Sequence, residues 1–582
     1  LIAKINKLLP YEVCNDISEV ELMAKYVLVS DSTLMYGYRN FPLLDFLPCA
    51  PVQKIPPSIY KFLRGPPLGS NPDGQPIYAP YAVRKIEASL LRDNRTKDVY
   101  VAGETSIEAA IKDDTEVIGV STMDPLGLGP TTMSYYVLFG GDPYAWVRKE
   151  WEALIARINA ARKGKKAKLL VGGPGVIEFI QMRSELDKEG IDYAFNGEID
   201  DIVSDLFLQV ADGNIDSKLF HSGYTQYDEK FSRTYKDDDK ILSRSMTGKL
   251  YPKLDEIPAI VNPSVKGMVE VMRGCGIGCD FCEVTLRPLR YYDDEMIAQE
   301  INVNLKKGGI NHAWLHSDDI WGYKHDNFFR PNEDALVDLF SKVMSIPGIV
   351  DTNPTHGRIS IPAGYPELMA RLSKIVKAGP KNWIGIQTGL ETGSESLAKK
   401  HMPNKTMPLK IGVDGSWEEI VWQGVFNETK HYWRSAFTLQ VGQPDETDED
   451  LWDTVSMVNR LSYSKIDDGR DFEFTVTPLQ NVPMGRITSR KLTSDLLTEA
   501  QLAVYYASYR HLARMAARRK TEGTGNVIVK AGTGAIIYFG GYLMMKVVED
   551  IARKKGVDIT KVKRYGLEQR KEFTSVSSLA HA

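Results

Sequence analysis

The chain has 582 residues, 43% hydrophobic and 25% charged, with a net charge of −4. That is the composition of an ordinary globular protein, too long for one core and suggesting about three or four domains. The acidic balance argues against a nucleic-acid binder, which would carry a basic domain or stripe. Five cysteines, three of them between positions 275 and 282, exclude a disulfide scaffold and point to a metal site in a reducing compartment, the cytoplasm.

Taken in chain order, Leu1–Lys25 reads as an extension with no secretory signal. From 26 to 213, short apolar runs alternate with helical stretches. Strands are expected at Val27–Ser30, Asp98–Ala102, Glu116–Ser121, Lys168–Val171 and Ile191–Phe195, with helices at Tyr81–Arg92, Ser106–Lys112 and Tyr144–Ala161. Such alternation predicts a doubly wound α/β domain with a parallel sheet. Ligands bind such sheets at the carboxyl ends of their strands, where the glycine-rich loops fall. Residues 214–265, with the charge run Lys236–Lys240 and Pro252, Pro258 and Pro263, read as a linker.

A second series spans 266–480. Strands are expected at Gly267–Met272, His312–His316, Arg358–Ile361, Trp383–Thr388, Ala436–Val441 and Phe472–Thr477. The helices between them are Asp294–Lys306, Asp334–Ser345, Pro366–Ala378 and Asp448–Leu461. This repeat suggests a β/α barrel or partial barrel. Residues 481–582 read as a mostly helical region. Within it Thr498–Arg519 is expected to be a surface helix packed by one face. The uncharged run Ala531–Met545 is too short and glycine-rich to cross a bilayer, which takes roughly 20 apolar residues, and reads as buried core; no membrane span is expected.

The densest chemical signal is Arg273-Gly-Cys275-Gly-Ile-Gly-Cys279-Asp-Phe-Cys282. Three thiolates sit at spacings of four and three, and Gly274, Gly276 and Gly278 let the loop wrap tightly. A structural zinc would want four ligands, often as two pairs, and no second pair follows. His312 and His316 fall on an expected strand, where they would chelate poorly together. An iron–sulfur cube held by three cysteines leaves one iron open to a substrate or cofactor. Cys14 and Cys49 read as small buried hydrophobes.

A CxxxCxxC run opening the first strand-to-helix loop of a β/α barrel resembles the radical S-adenosylmethionine superfamily. The resemblance implies a 4Fe-4S cluster on Cys275, Cys279 and Cys282, with S-adenosylmethionine chelated to its open iron. It places Phe281 near the adenine and Ser317, Asp318 and Asp319 near the methionyl amine. It also carries Gln387, Glu391 and Ser394, in Gly385-Ile-Gln-Thr-Gly-Leu-Glu-Thr-Gly-Ser394, towards the cofactor. The turn Gly442-Gln-Pro-Asp-Glu-Thr447 is similar to one in cobalamin-associated members, although Thr447 also reads as a plain helix cap. These matches cover roughly 267–478.

The domain in front is similar to the cobalamin-binding domain of one branch of that superfamily. The matching pieces are Met123, Asp124, Leu126, Gly127 and Leu128 after the third strand, Gly172, Gly173 and Pro174 after the fourth, and Gly197 and Glu198 after the fifth. No His lies before position 221, so the front domain has no DxHxxG ligand for cobalt, and the resemblance implies base-off methylcobalamin. The implied activity is C-methylation of an unactivated sp3 carbon by way of a 5′-deoxyadenosyl radical, with ferredoxin or flavodoxin as external electron donor. The chain as a whole resembles archaeal members, some of which methylate methyl-coenzyme M reductase. A protein substrate, a glutamine of the alpha subunit of that enzyme, is therefore favoured. A lipid or other small molecule, a non-methylating rearrangement, or a cobalamin carrier with a structural cluster remain alternatives. Arg290, Tyr291 and Tyr292, just past the triad, are candidates to line the substrate pocket.

Overall fold

The protein is described by a computed structural model that covers residues 24–40, 42–140, 144–215, 218–221, 240–241, 251–284, 287–482, 492–518 and 527–567. Most of the extension before Lys25, and Cys14 with it, lies outside the described residues.

The first layer is a parallel sheet ordered β2-β1-β3-β4-β5-β6-β7. Its strands are β1 (Tyr26–Ser30), β2 (Val99–Val101), β3 (Val117–Ser121), β4 (Lys168–Gly172), β5 (Tyr193–Asn196), β6 (Leu219–His221) and β7 (Lys240–Ile241). The strands are apolar runs because both faces are covered. Along β1 the side chains alternate between two cores. Val27 and Val29 join Trp151, Leu154 and Ile158 of helix Trp146–Ala161, while Tyr26 and Leu28 join Leu90 of helix Tyr81–Arg92 and Phe207 of helix Val203–Asp212. The expected doubly wound domain is thus present, and the expected strands match to within a residue or two. Within the expected linker, 214–265, the sheet adds β6 and the edge strand β7. The strand order reverses at β1, with β2 on one side of it and β3 on the other, so the crevice at a topological switch point lies beyond Ser30 and Ser121.

The second layer is a partial barrel. Strands β8 (Met268–Glu270), β11 (His312–His316) and β12 (Asp351–Pro354) form one parallel set, and β13 (Ile384–Glu391), β14 (Trp433–Val441) and β15 (Phe474–Gln480) another. Backbone hydrogen bonds from Gln387 to the Thr355 carbonyl (2.8 Å) and from Gly357 to the Gln387 carbonyl (3.0 Å) join the two sets. The short antiparallel pair β9 (Met272–Arg273) and β10 (Arg290–Tyr291) brackets the cysteine loop. One expected strand is corrected: Arg358–Ile361 runs into the helical turn Ser360–Gly364, and the strand of that repeat is β12, seven residues earlier.

Along β11, β12, β13 and β14 buried residues alternate with more exposed ones. The buried set packs on the surrounding helices. The other set, with Trp314, His316, Asn353, Gln387, Arg434 and Thr438, faces inward. A polar, partly exposed inner face marks the barrel as open rather than filled.

Two C-terminal expectations are also corrected. Helix Glu499–Arg518 is buried on nearly all sides, because it is wedged between β15, helix Asp448–Tyr463 and helix Val527–Lys554. Its tyrosines Tyr505, Tyr506 and Tyr509 are core residues. The run Ala531–Met545 instead turns Tyr538, Phe539, Tyr542 and Leu543 outward, since only one side of its helix meets Ala513 and its neighbours. Among the described residues no helix is long and apolar enough to cross a membrane.

The two layers are joined by buried polar contacts. Lys85 pairs with Glu300 (2.5 Å), and Tyr81 Oη donates to the same carboxylate (2.7 Å). Arg84 Nε donates to the Pro263 carbonyl (2.9 Å). Helix Pro130–Phe139, unforeseen in the sequence, packs Val137 and Leu138 into the core around β15.

Candidate active site

The cysteine loop leaves β9 at the carboxyl end of the partial barrel. Gly274, Gly276 and Gly278 all have positive φ. At Gly274 the need is steric as well: a Cβ would lie 2.7 Å from the carbonyls of Arg287 and Pro288. Asp318, just past β11, accepts a hydrogen bond from the Gly274 N–H at 2.7 Å, tying the loop to the neighbouring strand end.

Burial, then the proximity of Cys282 and Cys279, push the Cys275 thiol well above its ordinary pKa. Burial likewise pushes Cys279 up to about 12, against the pull of nearby Lys405. The three thiols are therefore close neighbours in a poorly hydrated loop. Among the described residues no three His, Cys, Asp or Glu side chains close around a single ion. Three adjacent thiols at spacings of four and three fit a multi-iron cluster that leaves one iron open. Iron binding would also relieve the thiols of the protons that burial imposes.

The residues expected to face S-adenosylmethionine divide into two groups. Phe281 is half-buried beside the thiols, with the Lys405 ammonium 6.0 Å from its ring centroid. Glu391, at φ +65° after a bulge in β13, turns its carboxylate to Lys405 Nζ at 3.2 Å. Gln387 lies on the inner face beside His356. Ser317, Asp319 and Ser394 already have structural partners. Ser317 bonds Thr355 and the His356 carbonyl, and Asp319 pairs with buried Arg358. Ser394 caps helix Glu395–His401 and bonds Asp450.

At the edge of the first sheet, Met123 is 57% exposed and Pro174 is exposed. Gly172 has open space above it, and Gly197 has φ +122°. Gly173, at φ +91°, leaves no room for a Cβ, which would lie 2.6 Å from the Thr122 carbonyl. Asp124 closes its own loop by accepting hydrogen bonds from the Gly129 N–H (2.9 Å) and Thr132 Oγ, and Gly127 supplies the positive φ of that turn. Leu126 is turned wholly into the core because Glu178 holds its N–H at 2.7 Å, and Leu128 packs partly against the same core.

Glu198 and the three residues expected to line the substrate pocket have these partners. Arg290 donates to both oxygens of Glu198 (2.7 and 3.1 Å) and to the Pro252 carbonyl. Tyr291 donates to the Gly322 carbonyl and stacks edge-on with Tyr323. Tyr292 is buried under Lys85. Arg290 and Tyr292 thus reach across to the first layer, through Glu198 and Lys85, while Tyr291 packs within the barrel.

Five residues of the site escaped the sequence reading. Arg273, beside the triad, is buried among Glu198, Asp200 and Glu270. Its position next to Gly274 was the available signal. His316 and His356 face each other with centroids 6.3 Å apart, whereas His312 pairs with Asp351 at the far end of β11. Burial, then His316, lower the His356 pKa, so its imidazole is neutral. Lys405 carries no motif. Burial opposes its charge, but Glu391 outweighs that and holds it as an ammonium. In the switch-point crevice, Asp31 accepts hydrogen bonds from Thr33 and Thr122, and burial raises it to about 6.

No protein-family model matches the chain. Its sequence is 22% identical over 303 residues to a tRNA-2-methylthio-N(6)-dimethylallyladenosine synthase of Chromohalobacter salexigens, covering 49% of this chain and 59% of that protein. The same enzyme of a Marinomonas species is 22% identical over 236 residues, covering 38% and 46%. The chain thus spans about half the length of these relatives. Among solved structures it is similar to the radical S-adenosylmethionine methyltransferase TsrM of Kitasatospora setae with cobalamin and a [4Fe-4S] cluster, with TM-score 0.45, 13% identity, and 80% and 77% of the two chains covered. It is also similar to the cobalamin-dependent S-adenosylmethionine radical enzyme OxsB with aqua-cobalamin, with TM-score 0.49, 11% identity, and 93% and 78% covered.

Proposed function

We propose that the chain is a radical S-adenosylmethionine enzyme with a cobalamin-binding front domain. More particularly, we infer a C-methyltransferase acting on an unactivated sp3 carbon. The observation that carries this reading is a juxtaposition. Three neighbouring thiols lie at the carboxyl end of an open parallel barrel, and Arg273, adjacent to the first of them, pairs with the loop that ends β5 of a doubly wound sheet.

When bound, the cluster and S-adenosylmethionine supply an organic radical and cobalamin supplies the methyl group. Cys275, Cys279 and Cys282 would hold the cluster, and Asp318 fixes the loop through Gly274. Phe281, Gln387 and Glu391 face S-adenosylmethionine in this reading. Met123, Leu128, Gly172, Gly173, Pro174 and Gly197 form the edge offered to the corrin. The inner face, with neutral His356 beside His316 and Gln387, offers hydrogen bonds to a polar group of the substrate. The interlayer ion pairs keep the two cofactor edges at a fixed separation, as placement of reacting atoms demands. An external ferredoxin or flavodoxin would supply electrons.

The substrate favoured is a protein residue, a glutamine of methyl-coenzyme M reductase. The test is anaerobic incubation of the reconstituted, reduced chain with S-adenosylmethionine, methylcobalamin and a peptide spanning that glutamine, read by mass spectrometry. 5′-Deoxyadenosine together with a peptide gain of one methyl supports the full reading. 5′-Deoxyadenosine with an unchanged peptide rejects that substrate. A transfer-RNA nucleoside, the substrate class in the names of the curated relatives, is then the next to assay. Neither product from a protein with an intact cluster turns the reading to a carrier.

A further inference from the structure

From the last residue of helix Glu395–His401, the segment His401–Lys405 lies along the cysteine loop and grips it at separate points. His401 Nδ1 is 2.8 Å from Asp280 Oδ2, and the Asp280 N–H donates to the His401 carbonyl at 3.0 Å. Asn404 Nδ2 donates to the Ile277 carbonyl at 3.0 Å. Lys405 ends the segment. Its backbone is held by the Met402 carbonyl (2.9 Å), and its ammonium lies between Glu391 and the face of Phe281. Only 12% of its side chain is exposed, so water screens little of its charge.

Resting on the reading that the three thiols hold an iron–sulfur cluster, we propose that Lys405 is a positioning residue for that cluster's electron. Its ammonium stabilises the negative charge the cluster gains on reduction and so sets the midpoint potential. The step is a one-electron transfer from an external low-potential reductant; no bond forms or breaks, and no proton moves. A cation held beside the sulfurs away from bulk water acts through a low effective dielectric, where Coulomb energies are several-fold larger than in water. Charge and hydrogen bonding around cluster sulfurs are established levers on potential. Glu391 is the opposing half of the device, because its carboxylate at 3.2 Å offsets part of the ammonium's field.

The two partners therefore predict shifts of opposite sign. The experiment is a potentiometric EPR titration of the anaerobically reconstituted full chain without S-adenosylmethionine, alongside iron and sulfide analysis. Lys405→Met should be harder to reduce by about tenfold in the one-electron equilibrium, or about 59 mV more negative. Lys405→Arg should titrate with the parent, and Glu391→Gln should shift to a less negative potential. A Lys405→Met midpoint equal to the parent's overturns the proposal, as does a Glu391→Gln shift towards more negative values. Should Lys405→Met fail to assemble a cluster, Glu391→Gln decides alone, and an unchanged midpoint there overturns the proposal. A parent protein that binds no cluster overturns the functional reading beneath it, and the inference with it.

Discussion

Replacing Arg273 with Met tests whether buried charge holds the two layers together. The guanidinium donates to Glu198 (2.8 Å), to both oxygens of Asp200 (2.8 and 3.2 Å) and to Glu270 (2.9 Å). Methionine keeps the apolar stem and removes the charge. Glu198 retains Arg290, but Asp200 and Glu270 are left buried without their cation. Breaking a buried ion pair from one side costs about 3–5 kcal/mol. An orphaned carboxylate can escape only by protonation, which at pH 7 costs about 4 kcal/mol for a group with an ordinary pKa near 4. A loss of about 3–5 kcal/mol is therefore expected in urea unfolding followed by tryptophan fluorescence. The pH dependence gives the sign. In the parent, burial would raise Asp200 and Glu198, but Arg273 outweighs it and holds both below their ordinary range. That stability is present above about pH 4 and is lost as pH falls through the depressed values. Without Arg273, burial wins, Asp200 moves above its ordinary range, and the variant's deficit should shrink as pH is lowered from 7 towards 5. A deficit under about 1 kcal/mol at pH 7, as for an exposed ion pair, or one that does not shrink on acidification, would refute the reasoning.

Three further substitutions probe other parts of the molecule. Gly274→Ala, at φ +79° with two carbonyls 2.7 Å from the new Cβ, should cost about 1–3 kcal/mol and lower the iron bound on reconstitution, measured colorimetrically. Glu428 is raised by burial from its ordinary 4.5 to about 8, with Ser435 Oγ donating to it at 2.7 Å. Its folded pKa lies above its unfolded one, so stability is full below about pH 4.5 and declines as pH rises towards 8. Glu428→Gln should abolish that slope and gain on the order of 4 kcal/mol at pH 8, and identical parent and variant pH profiles would exclude this. Thr447→Ala removes the capping box at the start of helix Asp448–Tyr463 and should cost about 1 kcal/mol by urea denaturation, confirming the structural reading of that turn.

Legibility followed burial. Strand β1, Tyr-Val-Leu-Val-Ser, is buried on both faces, so its residues are apolar and its place was readable. Strand β12, Asp-Thr-Asn-Pro, lines the open inner face on one side. Its polar residues resemble a loop, and the more apolar Arg358–Ile361 drew the strand assignment. Helix Glu499–Arg518 looked like a surface helix because Arg510, Arg514 and Arg518 stand along it. Its alanines and tyrosines pack all round, and Arg510 finds Asn459 at 2.6 Å.

The sequence by itself determined the two alternating series, the triad Cys275, Cys279 and Cys282, and the glycines that let its loop wrap. These are local properties, set by periodicity and by which residues tolerate positive φ. Only the tertiary structure decided which charges meet. Glu198 reaches Arg273 across 75 positions of sequence and His401 reaches Asp280 across 121, while Lys405 comes beside the thiols only because helix Glu395–His401 docks under the cysteine loop. A buried charge is stable only beside a partner, and the partner is chosen by how the layers pack, which no local pattern of residues encodes.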